Sequence, residues 1–220
     1  MAASVPLVPA SPLFPSRLYV ILDVDALAQA DLEPLRFLDA CLDAGARVFQ
    51  LRAKGIGAGA FADLGRAVVA RTAETGAVVI INDRVDVALV SGASGAHVGQ
   101  DDLLPTAARA QLGPEAIIGL STHTDAQVRA AVTEPVSYIA VGPVFDTATK
   151  ATGYAAVGPA SVARARDLAG PTCPVVAIGG ITPANAADVI AAGAAAVAVI
   201  GGVVGSDPAV LVKRYLDRLA

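Results

Sequence analysis

Residues 47–83 read RVFQLRAKGIGAGAFADLGRAVVARTAETGAVVIIND. The stretch opens on a short, mostly apolar run, RVFQLRAK (47–54), and crosses a glycine-rich turn. It then enters an Ala/Leu-rich segment, FADLGRAVVARTAET (61–75), and returns to an apolar run, VVIIND (78–83). Runs that are apolar on nearly every residue suit strands covered on both faces, as in a parallel sheet flanked by helices. The unit is therefore strand, helix, strand, and it repeats in both directions. LYVILD (18–23) lies before it; GAHVGQ (95–100), IIGLST (117–122), YIAVGPV (138–144), VVAIGG (175–180) and AVAVIGG (196–202) lie after it. Helix-like segments fall between and around these runs: PLRFLDACLDAGA (34–46), TDAQVRAAV (124–132), PASVARARDLA (159–169), ANAADVIAAGA (184–194) and PAVLVKRYLDRL (208–219). Gly45, Gly76 and Gly193 stand where helix-terminating glycines belong. Eight strand runs predict one α/β domain, a (β/α)8 TIM barrel. A doubly wound open sheet is the alternative, but it calls for a Gly-rich turn after its first strand; Asp23-Val24-Asp25 stands there instead.

Composition narrows the function classes. Apolar residues make up 55 % of the 220 residues and charged residues 16 %, which excludes a disordered, highly charged chain. No apolar stretch reaches ~18 uninterrupted residues, so no membrane span is expected. Sixteen Lys and Arg against 20 Asp and Glu argue against a surface that coats nucleic acid. Cys41 and Cys173 have neither zinc spacing nor a disulfide framework, which points to a reducing, cytoplasmic setting. The first 17 residues carry Pro6, Pro9, Pro12 and Pro15 and lack a basic segment. They read as a flexible Pro-rich leader over residues 1–15, with the barrel domain over 16–220.

Barrel chemistry gathers at the C-terminal ends of the strands, and the unusual polar residues collect there. The second strand ends in Gln50, Arg52 and Lys54, one face by period two. The third ends in Asn82-Asp83, the fourth in Gln100-Asp101-Asp102, and the fifth in Ser121-Thr122-His123. The sixth runs into a loop with Thr147, Thr149 and Lys150. The seventh and eighth end in Gly179-Gly180 and Gly201-Gly202. Buried charges are costly unless they face each other or a ligand. The cations Arg52, Lys54 and Lys150 suit a polyanion, which Asp83 and Asp102 would repel unless a divalent cation lay between. Two hard carboxylates with water and phosphate oxygens fit Mg²⁺. Glycines at the last two strand ends let backbone N–H groups approach a second phosphate. Asn185 is expected to cap the following helix or hold a loop. His97, three residues from Gln100 and so on the other face, reads as structural; His123 follows a strand end, where proton transfer is one available role.

The ordered motifs QLRAK, IND, HVGQDD, GLSTHT, GPVFDTATK, AIGGI and AVIGG resemble those of the thiamine phosphate synthase family over nearly the whole chain after the leader. The resemblance implies a (β/α)8 transferase of thiamine biosynthesis. It joins a hydroxymethylpyrimidine diphosphate to a thiazole phosphate (or its carboxylated precursor), releases pyrophosphate and requires Mg²⁺. Carried over by motif, Gln50, Arg52, Lys54 and Asn82 bind the pyrimidine diphosphate. Asp83 and Asp102 are the metal ligands, and Asp101 is not carried over. Ser121 and Lys150 hold the diphosphate; Thr147, Thr149, Gly180, Ile200 and Gly201 meet the thiazole phosphate. Position 201 departs from the family's usual Ser, so a hydroxyl contact is lost there. The family mechanism is dissociative, with Arg52, Lys54, Lys150 and the metal stabilising the departing pyrophosphate and no protein nucleophile. Two alternatives stand beside it: the thiazole tautomerase of the same fold, which uses a His where His123 stands, and a non-catalytic barrel that binds phosphate ligands. The expected partners are small molecules, with neither nucleic acid nor membrane. A homo-oligomer is compatible with the sequence.

Overall fold

The computed structural model describes residues 14–147 and 155–220. Eight parallel strands close into a barrel in sequence order. They are β1 (Leu18–Asp23), β2 (Val48–Arg52), β3 (Val78–Asn82), β4 (Gly95–Val98), β5 (Ile117–Thr122), β6 (Tyr138–Val141), β7 (Val175–Ile178) and β8 (Ala196–Val199). Closure is by β1 on β8, with Tyr19 opposite Ala198 and Val20 opposite Val199. The expected barrel is therefore the observed one, and the open sheet is excluded. The described helices are α1 (Val24–Gln29), α2 (Pro34–Asp43), α3 (Ala58–Thr72), α4 (Val85–Ser91), α5 (Pro105–Leu112), α6 (Asp125–Ala131), α7 (Pro159–Ala169), α8 (Ala186–Ala191) and α9 (Pro208–Leu219). None is long and apolar enough to cross a membrane.

The local sequence explains the longer helices. α2 starts at Pro34, whose missing N–H costs nothing in a first turn, and Glu33 accepts from Leu35 N and Arg36 N at 3.0 and 2.8 Å. Its inner face, Phe37, Leu38 and Cys41, is buried against the barrel. α9 repeats the device, with Pro208 in its first turn and Asp207 accepting from Val210 N at 3.0 Å.

Strand alternation divides the core in two. Leu18, Val20 and Leu22 of β1 face outward, into the layer between barrel and helices. Tyr19 and Ile21 face inward with Val48, Ile80, Tyr138, Val176 and Ala196. Phe14 joins this inner cluster at 1 % exposure, edge-on to Tyr138 with ring centroids 5.2 Å apart. It lies inside the stretch read as a leader, so the packed structure starts at least two residues before residue 16. Residues 1–13 lie outside the described residues. Burying a phenylalanine contributes about 1.5–3 kcal/mol, which makes Phe14 a plug for the barrel floor.

Candidate active site

A cavity of about 230 Å³ opens at the C-terminal ends of the strands, a size for small molecules and not for a polymer. Its wall includes Gln50, Arg52, Asn82, Ser121, Thr147, Gly180, Ile200 and Gly201. One cavity thus collects residues from six strands or the loops that follow them. Thr149 and Lys150 lie outside the described residues.

Arg52 ends β2 and pairs with Asp23 at the end of β1, 2.5 Å apart. Asp23 is 4 % exposed and its other oxygen accepts from Ala26 N at 3.0 Å, capping α1. A carboxylate pinned by a helix terminus fixes the guanidinium in turn. Arg52 Nε is buried without a hydrogen-bond partner among the described residues. A buried cationic donor left unmatched is costly, so this N–H, unpartnered among the described residues, is open to an acceptor at the cavity. Asp23 was missed in the sequence; its only signal was a carboxylate closing an otherwise apolar strand.

Lys54 does not stand with Gln50 and Arg52. β2 ends at Arg52, so period two no longer holds two residues on. Lys54 is half exposed and pairs with Asp83 at the rim. Asp83 has φ +60°, a left-handed backbone that Asp tolerates better than most residues. Its N–H donates to the His97 carbonyl at 2.7 Å, which anchors the turn. Asp102 Oδ2 accepts from Gly99 N at 2.8 Å. Burial pushes the Asp102 carboxyl above the usual carboxylate range; the Gly99 N–H opposes this, and the neighbouring Asp83 carboxylate adds to the rise. Asp83, Asp102 and Lys54 therefore form one rim cluster in which two carboxylates face each other.

Period-two spacing from Gln100 turns His97 away from the site. The structure puts it on the cavity wall: β4 ends at Val98, so Gln100 sits in a turn and gives no guide to strand facing. His97 Nε2 lies 2.8 Å from Ser121 Oγ, and Nδ1 lies 2.9 Å from the Tyr138 hydroxyl. Gln100 Nε2 donates to the Ser121 carbonyl at 2.6 Å. His123 also lines the cavity; its Nδ1 lies 2.6 Å from the Gly142 carbonyl, an acceptor only, so Nδ1 is the donor.

The opposite wall is built from backbone. Gly180 has φ +62°, and a Cβ there would lie 2.5 Å from the Asp146 carbonyl oxygen and 2.7 Å from Phe145 Cβ. Only glycine lets the loop after β7 lie against the loop after β6. Asn185 holds that loop without capping α8 by its side chain: Oδ1 accepts from Thr182 N at 2.7 Å and Nδ2 donates to the Gly180 carbonyl at 3.3 Å. Tyr215 of α9 donates to the Ile181 carbonyl at 2.9 Å, bracing the same loop from outside.

A family model described as thiamine monophosphate synthase matches residues 18–203. The chain belongs to that family. Thiamine monophosphate synthase is a transferase of thiamine biosynthesis, and membership makes this chain one. It is 41 % identical to the thiamine-phosphate synthase of Roseiflexus castenholzii over 94 % of this chain and 91 % of that one. It is 43 % identical to the thiamine biosynthesis bifunctional protein ThiM/ThiE of Symbiobacterium thermophilum over 84 % of this chain, spanning 38 % of that longer protein. Among solved structures, thiamine phosphate pyrophosphorylase from Pyrococcus furiosus superposes with a TM-score of 0.81 at 27 % identity, covering 92 % of this chain and 95 % of that one.

Proposed function

We propose that the chain condenses a hydroxymethylpyrimidine diphosphate with a thiazole phosphate, releasing pyrophosphate and forming thiamine phosphate. The observation that carries the reading is the buried Arg52 Nε, unmatched among the described residues and held at the cavity by Asp23. In this reading Gln50 and Asn82 orient the pyrimidine, while Arg52 and Ser121 hold the diphosphate from the wall and Lys54 from the rim, with Lys150 as a further cation for it. Thr147, Gly180, Ile200 and Gly201 receive the thiazole phosphate on the opposite side, and Thr149 is assigned to the same phosphate.

Asp83 and Asp102 fit a divalent cation. They supply two hard oxygen donors side by side, the donor type such an ion takes. Mg²⁺, when bound there, neutralises charge on the diphosphate as it leaves. The side chains do the rest. As the carbon–oxygen bond to the diphosphate breaks, negative charge grows on the leaving oxygens. Arg52, Lys54 and Lys150 bind that charge more tightly than they bind the intact substrate. The thiazole nitrogen captures the pyrimidinylmethyl cation, so no protein nucleophile is required. Cys41 and Cys173, both free thiols, accord with a cytoplasmic setting.

The test is incubation with both phosphorylated substrates, with and without Mg²⁺. Thiamine phosphate formed only with Mg²⁺ is the expected result. Isomerisation of the thiazole phosphate alone would instead select the tautomerase, and binding without product a non-catalytic barrel.

A further inference from the structure

Along the wall and floor of the cavity a file of polar groups crosses the barrel interior. Gln50 Nε2 donates to the Tyr19 hydroxyl at 3.0 Å, and Tyr19 lies 3.0 Å from the Tyr138 hydroxyl. Tyr138 lies 2.9 Å from His97 Nδ1, and His97 Nε2 lies 2.8 Å from Ser121 Oγ. The phenols are buried at 1 % and 0 % exposure, and burial raises both well above the ordinary tyrosine range, so both keep their protons.

The direction of the file follows from counting protons. The Gln50 amide nitrogen only donates, so Tyr19 receives there and must place its own proton elsewhere. Tyr138 is the hydroxyl within reach. Tyr138, having accepted from Tyr19, donates to His97 Nδ1. The ring then carries its proton on Nε2 and donates it to Ser121. Ser121 keeps its own hydroxyl proton for an acceptor in the cavity. Running the file backwards leaves the buried Tyr19 proton with no acceptor among these groups.

A second observation shows that the phenol–imidazole contact is built in. A Cβ at Gly119 would lie 2.2 Å from Tyr138 Cζ and 2.4 Å from His97 Nδ1. The two rings stack at 27° with centroids 5.5 Å apart, in the space that glycine leaves. We propose that Tyr138, fed by Tyr19, is a positioning residue: it holds His97 with its proton on Nε2, so that Ser121 presents a donor, not a lone pair, to an anionic oxygen in the cavity. The identity of that oxygen, on the diphosphate, rests on the function proposed above; the direction of the file does not.

The chain has two histidines, so ¹⁵N-histidine labelling gives two rings to assign, with His123→Asn separating them. The wild type is expected to show His97 protonated on Nε2 and bare on Nδ1. Tyr138→Phe keeps the ring and removes only the hydroxyl. It should move the His97 Nδ1 resonance, lower kcat about tenfold and leave KM for the pyrimidine diphosphate within about twofold. That tenfold corresponds to about 1.4 kcal/mol. Ser121→Ala should cost less in the Tyr138→Phe background than in the wild type, because the two act through one file. Tyr19→Phe provides a second variant with the same expected direction. A wild-type His97 protonated on Nδ1, an Nδ1 resonance unmoved in Tyr138→Phe, or costs of Tyr138→Phe and Ser121→Ala that simply multiply would each overturn the proposal. A wild type without synthase activity would remove the functional reading while leaving the spectrum to test the file.

Discussion

From β1 to β5 the cavity wall carries Gln50, Arg52, Asn82, His97 and Ser121; from β6 to β8 it is mostly small or apolar, with Ala140, Gly142, Gly179, Gly180, Ala198 and Gly201, and its polar side chains are the hydroxyls of Tyr138, Thr147 and Thr182. On the second side no charged residue lines the wall among the described residues. The difference matches two kinds of recognition. A diphosphate that leaves with growing charge needs cations and donors held in place, and Asp23 holds Arg52 for that task. A phosphate that stays bound throughout can be held by shape and backbone N–H groups, provided no Cβ stands in the way.

Breaking the charged side should have the largest effect. Arg52→Ala is expected to lower kcat/KM for the pyrimidine diphosphate by about 10³-fold, the upper range for losing a donor aimed at developing charge. It should also lower Tm, because Asp23, 4 % exposed, is left buried without its cation. Arg52→Lys should recover Tm more than rate, since an ammonium lacks the planar fork and the Nε donor. A kcat/KM within twofold of wild type in Arg52→Ala would empty the charged side of its role.

Lys150 carries the next largest expectation. If it faces the leaving pyrophosphate, Lys150→Ala reduces kcat by about 10²–10³-fold with a smaller change in KM. A solvated loop lysine would leave kcat within about twofold. Steady-state kinetics at saturating Mg²⁺ separates the two.

On the glycine side the effects should be smaller and fall on the other substrate. Gly180→Ala must place a Cβ 2.5 Å from the Asp146 carbonyl in a left-handed backbone. Strain of about 1–3 kcal/mol should raise KM for the thiazole phosphate about tenfold while leaving pyrophosphate affinity unchanged. Gly201→Ser restores the hydroxyl usual in the family at an exposed position. One hydrogen bond is worth about 0.5–1.5 kcal/mol, so thiazole phosphate affinity should rise no more than about tenfold, read by calorimetry.

The barrel was readable because each strand is a near-continuous apolar run, which a parallel sheet covered by helices requires. The ends were not. Strand runs expected to reach 54, 100, 144, 180 and 202 stop at Arg52, Val98, Val141, Ile178 and Val199, where the chain leaves the sheet for the loops of the cavity end. α1, α4 and α5 were not anticipated. VDVALVS, for example, is β-branched, shows little helical periodicity, and is helical through packing and a left-handed Gly92 at its end. In the site, residues whose chemistry is unusual for a strand end stood out. Tyr19 and Tyr138 did not, because an aromatic in an apolar strand reads as core, and both are core as well as polar links. Phe14 was hidden among prolines, since a single buried side chain leaves no pattern.

The division of the cavity is tested most directly by titrating pyrophosphate with Mg²⁺, and separately thiazole phosphate, into Arg52→Lys and Gly180→Ala by calorimetry. The expected pattern is crossed: Arg52→Lys weakens pyrophosphate and spares thiazole phosphate, and Gly180→Ala does the reverse. Both ligands weakened alike by either substitution would contradict a cavity with one charged and one backbone side.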